Sequence, residues 1–69
     1  MIELTRKLEE ELRNLDEKCE KLLKFLKDDK FTQLDPYMQN CLTTQFMHMV
    51  GYASCLVSRI ELLKSKQEV

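Results

Sequence analysis

Residues 35–64 read D-P-Y-M-Q-N-C-L-T-T-Q-F-M-H-M-V-G-Y-A-S-C-L-V-S-R-I-E-L-L-K, and this stretch decides the fold. Asp35 before Pro36 is a helix start. The carboxylate can cap free backbone N–H groups, and Pro fits the first turn, where its missing donor costs nothing. Behind it, Leu42, Phe46, Met49, Ala53, Leu56, Ile60 and Leu63 recur in steps of 4-3-4-3-4-3. That is one apolar seam of a helix expected over about 36–64. No Asp, Glu, Lys or Arg occurs between Pro36 and Ser58. A helix in a two-helix hairpin should keep one wet, charged face. This one instead carries two further stripes. Met38, Cys41, Gln45, His48, Tyr52 and Cys55 form one, and Met47, Val50 and Val57 lie on the other. Burial against other subunits explains both, so the sequence predicts an oligomer. Gly51, about 1 kcal/mol worse than Ala inside a helix, is tolerable where another helix backbone crosses closely. Gln39, Asn40, Thr43, Thr44, Gln45 and His48 argue against a membrane span.

Working outward, the first half supplies the partner for the seam. Leu8, Leu12, Leu15, Cys19, Leu22 and Leu26 repeat in heptad steps, and Leu23 and Phe25 widen the stripe. The outer positions hold charges, with Glu17–Lys21 and Glu20–Lys24 at the i,i+4 spacing that supports a helix. A helix is expected over about 3–27. Asp28, Asp29 and Lys30 end its pattern, leaving a corner at 28–35 in which Phe31 and Leu34 plug the end of the hairpin. The expected fold is all-α, a single domain over 1–69 made of a two-helix antiparallel hairpin that assembles into a helical oligomer.

Composition narrows the function. The 69 residues carry 11 basic and 12 acidic side chains, a net charge of −1. A lone chain of this size buries only about 60% of its unfolded surface and is marginal. The near-neutral balance gives no long-range field for duplex nucleic acid and no polybasic membrane anchor, and the lysines of the first helix alternate with glutamates. One Gly and one Pro leave no Gly-rich phosphate loop. The N-terminal dozen residues mix charge and apolar side chains and read as no secretory signal. Three widely spaced cysteines, an odd number, point to reduced thiols in a cytosol.

Catalysis finds little to work with. There is one His, and the carboxylates stand mostly on a solvated helix face. No cofactor is expected. Cys41, His48 and Cys55 stand seven apart, a rise of about 10.5 Å per interval. Zinc ligands lie about 2.0–2.3 Å from their metal, so one chain cannot close such a site. The cysteines read as small core hydrophobes and His48 as a hydrogen-bonded interface residue. Anion binding is better supplied. Lys27, Lys30 and Thr32 lie beside the N-terminus of the second helix, which offers N–H groups and about half a positive charge. Asp28, Asp29 and Asp35 compete for the same donors. Arg59 follows the uncharged stretch, where a half-buried stem or an ion pair with Glu3 or Glu61 is expected.

One family fits these residues. Leu15–Leu26 reads L-D-E-K-C-E-K-L-L-K-F-L, Phe31 and Leu34 stand three apart, and the second helix spaces Leu42, Gln45, Met49, Tyr52, Leu56, Arg59 and Ile60. This pattern resembles the short helical-hairpin sponges of tailed phages, the anti-CBASS type, which share their hairpin with some anti-Thoeris sponges. The resemblance covers about residues 12–62. It implies hexamers of hairpins that hold cyclic di- and trinucleotide second messengers between subunits, without cleavage, in the host cytosol. Carried over residue by residue, it implies ligand contacts from Lys30, Thr32 and Arg59. The base-stacking aromatic of some members has no counterpart among Arg13, Asn14 and Leu15. Lys30 and Thr32 lie some 40 Å from Arg59 at 1.5 Å per helical residue, so a site that uses both sets is intermolecular. The alternative to a sponge is a small oligomeric hairpin that docks a protein partner through exposed Met and Tyr residues.

Overall fold

The computed structural model describes residues 2–67, with side chains through residue 66. Three helices follow one another: α1 (Ile2–Leu26), α2 (Asp29–Thr32) and α3 (Pro36–Gln67). The long helices α1 and α3 pack side by side in a rod of 53 × 15 × 13 Å. No strand occurs among the described residues, so the expected all-α hairpin is the fold.

Both seams face inward. Leu8, Leu15, Leu56 and Ile60 form the buried cluster, with Leu56 fully enclosed, and Leu12, Cys19, Met49, Ala53 and Leu63 pack around it. Thr5 is buried one step before Leu8 and continues the α1 seam toward the open end. Among the described residues no buried side-chain nitrogen or oxygen lacks a hydrogen-bond partner. The core is uneven along the rod. Its buried residues crowd toward the open end, whereas Leu22, Leu26, Leu42 and Phe46, nearer the corner, are only half-buried.

Two boundaries differ from the expectation. The corner is not a charge-broken loop but holds the single turn α2. The Asp28 carboxylate accepts a 2.8 Å hydrogen bond from the Lys30 amide, and Asp29 stands in the first turn. Negative charge at that end favours a helix start, so the charge pair that ends α1 also begins α2. Phe31 then meets Phe25 edge to face, with ring centroids 6.2 Å apart and planes at 81°. At the other end α3 continues past Lys64 to Gln67. Lys64 and Lys66 in its last turn face the negative end of the helix dipole. Lys64 also reaches across to Glu9 at 3.1 Å.

Candidate functional site

Short local hydrogen bonds hold the corner. The Asp35 side chain accepts from the Tyr37 amide at 2.7 Å, and the Asp35 carbonyl accepts from the Gln39 amide at 3.0 Å. Asp35 is thus the N-cap that the Asp-Pro pair predicts. Gln39, half-buried, turns its side-chain amide back onto the corner. Its Nε2 donates to the Leu34 carbonyl at 2.8 Å and to the Thr32 carbonyl at 3.3 Å. This tie fixes α2 against the first turn of α3, and with it the positions of Lys30 and Thr32. No rule of periodicity marks Gln39; its position four residues after an Asp-Pro start was the available clue.

Of the three expected ligand residues, two lie together. Lys30 and Thr32 are both exposed on the single turn of α2. The Lys30 ammonium has no ion pair among the described residues. The Thr32 hydroxyl donates to the Asp29 carbonyl at 2.6 Å. As placed it presents lone pairs outward, and it donates to a ligand only by leaving that carbonyl. The helix N–H groups are less open than an anion site needs. Asp28 and Asp35 each occupy one, which is the competition expected of them.

Arg59 stands far away on α3, and its surroundings correct two expectations. Its side chain is exposed rather than half-buried, and it pairs with neither Glu3 nor Glu61. The one ion pair among the described residues joins Lys64 to Glu9. Arg59 lies outside the seam and is exposed.

The uncharged face of α3 yields a further correction. Cys41 and Cys55 are exposed, not core residues; only Cys19 is half-buried against the cluster. All three are free thiols. The physical reason is coverage: α1 hides one stripe of α3, and both other stripes stay open. Met47 is 66% exposed, and Met38, Val50, Tyr52 and Val57 lie open as well. Asn40, Cys41, Thr44, His48 and Tyr52 line a shallow groove along this helix, where the Gln45 amide touches the Met49 sulfur at 4.0 Å. His48 is exposed in that groove. No group of three or more His, Cys, Asp or Glu among the described residues is arranged to hold a metal. No described helix is long and apolar enough to cross a membrane.

The comparison with known families covers both the corner and the distant arginine. Residues 3–62 of the chain match the model of the Sequestin family. The chain belongs to the Sequestin family. The match spans α1 from its second residue, the whole corner, and α3 past Arg59 and Ile60. A family named for sequestration fits the sponge resemblance read from the residue pattern. No curated protein and no solved structure matches the chain.

Proposed function

We propose that this member of the Sequestin family is a phage anti-defence protein that sequesters cyclic di- or trinucleotide second messengers in the host cytosol. The ligand sits between subunits of a homo-oligomer, a hexamer by the family resemblance, and leaves uncleaved. The protein is not an enzyme in this reading: binding alone lowers the free messenger. One observation carries the proposal, the family match over residues 3–62, which takes in Lys30, Thr32 and Arg59 together. The geometry lends support. Lys30 and Arg59 are exposed cations without a carboxylate partner among the described residues, and cyclic oligonucleotides are ringed by phosphates. Charge-assisted hydrogen bonds contribute about 1.5–3 kcal/mol each.

Calorimetry of the intact oligomer against a panel of cyclic di- and trinucleotides tests the proposal. One of them binds, affinity falls as salt rises, and mass spectrometry of the released ligand shows it intact. Lys30→Ala and Arg59→Ala each weaken binding about tenfold or more. If none binds at tens of micromolar while the oligomer stays assembled, the sponge reading fails and docking of a protein partner replaces it. If one binds and both substitutions are silent, the function stands and the site is elsewhere.

A further inference from the structure

A single turn such as α2 does not hold itself, because a first helical turn fixes several backbone angles for one hydrogen bond. Its own side-chain bonds are local. Asp28 accepts from the Lys30 amide and Thr32 donates to the Asp29 carbonyl, across two and three residues, and both bonds are exposed to water. Gln39 is different. From α3 it reaches back seven residues to the Thr32 carbonyl and five to the Leu34 carbonyl. The bond to Leu34, at 2.8 Å, is part-buried, where water competes less well. Carbonyls at the end of a helix have no partner inside it, so Gln39 supplies what α2 lacks. On the other side Phe31 leans edge to face on Phe25 of α1. The turn is thus tethered twice, by an apolar contact to α1 and a polar one to α3.

We propose that Gln39 is a positioning residue for ligand binding, which holds Lys30 and Thr32 in place before a ligand arrives. It rests on the reading above that these two residues contact the ligand. A side-chain amide has two N–H bonds, and Gln39 spends both on the carbonyls of the corner. It keeps none to donate to a ligand, so its effect passes through α2. Thr32 shows how. Its carbonyl accepts from Gln39, and its hydroxyl proton goes to Asp29. When a ligand draws that hydroxyl off Asp29, the Gln39 bonds keep the backbone of α2 where it was. Without them, the same exchange of partners starts to unwind the turn. The affinity of a site that is formed only part of the time falls with the fraction formed. Gln39 keeps that fraction high.

Gln39→Met tests this, since it keeps the length of the side chain and removes both donors. Amide exchange over residues 29–35 and calorimetry with the panel of cyclic di- and trinucleotides are run on the same protein. Exchange at the corner speeds up, affinity falls about threefold or more, and saturating ligand returns exchange to the wild-type rate. A double-mutant cycle shows the route of the effect. Where Lys30→Ala and Thr32→Ala have already removed the contacts of the corner, Gln39→Met costs no further affinity. Beside Arg59→Ala it costs its full amount. Equal losses in both backgrounds overturn the proposal, because Gln39 then does not act through α2. Unchanged affinity in a protein whose corner has loosened overturns it as well, and so does a corner that stays loose at saturating ligand. If the wild-type protein binds no cyclic oligonucleotide, the sponge reading fails and the positioning role falls with it. If it binds and only the Gln39 results fail, the sponge reading stands and the positioning role does not.

Discussion

Replacing Leu56 by Ala removes the one side chain among the described residues that the hairpin encloses completely. Leu56 packs with Leu8, Leu15 and Ile60, where the core is tightest. Truncating a buried leucine in such a setting costs about 2.7–5 kcal/mol, the higher values where neighbours cannot collapse into the space. Two rigid helices joined only at the far corner have little freedom to close around the gap, so the cost is expected above about 3 kcal/mol. Total stability is of order 0.05–0.15 kcal/mol per residue, or about 3–10 kcal/mol for this chain, so one substitution removes a third or more of it. Lys18→Ala on the exposed face of α1 is the control and should stay within about 0.5 kcal/mol. Urea melts of all three proteins, at one protein concentration because assembly adds to apparent stability, give the comparison. A loss below about 1 kcal/mol for Leu56→Ala, or one no larger than the control's, would refute the core as described.

Gln39→Ala frees the Thr32 and Leu34 carbonyls and should cost about 1–2 kcal/mol, with faster amide exchange confined to the corner; unchanged exchange there would remove Gln39 from its role. Lys64→Ala breaks an ion pair whose partners are 51% and 43% exposed, and thermal unfolding should barely shift, by less than about 1 kcal/mol. Reductant and chelator should each leave thermal stability unchanged, because the three cysteines are free thiols; a large drop with either would mean a crosslink or metal supports the fold.

The fold was legible because its pattern is strict. Every residue of the α3 seam, from Leu42 to Leu63, is buried or half-buried in the hairpin, and so are the leucines of the α1 seam. Thr5 escaped because a polar side chain in a heptad position gives no hydropathy signal. The turn α2 escaped because Asp28 and Asp29 read equally well as a break, and capping is visible only once the Lys30 amide is seen to point at Asp28. Cys41 and Cys55 were misjudged for another reason. Residue type does mark them as apolar, but a single partner helix can cover only one stripe of α3. The site was legible only in part. Lys30 and Thr32 share a helical turn, yet neither spacing nor composition shows that Thr32 already spends its proton on Asp29.

The separation of the site's halves has an energetic consequence. Neither Lys30 nor Arg59 can hold a phosphate strongly alone, since an exposed cation gains little from a screened anion in water. An arginine brought to the corner from a second chain would meet Lys27 and Lys30 but also Asp28, Asp29 and Asp35, so the ligand-free contact is not repulsive. In the proposed reading a ligand held between subunits binds the assembly and not the separate chains, so it would stabilise the assembly by RT ln(1 + [L]/Kd), about 2.7 kcal/mol per site at a hundredfold excess over Kd. High salt should therefore loosen the ligand, because it screens the attraction between phosphate and the cationic side chains. Nearest the corner the intrachain core is only half-buried, at Leu22, Leu26 and Leu42. In the proposed assembly, that end of the hairpin would gain most from the added burial that a partner subunit brings.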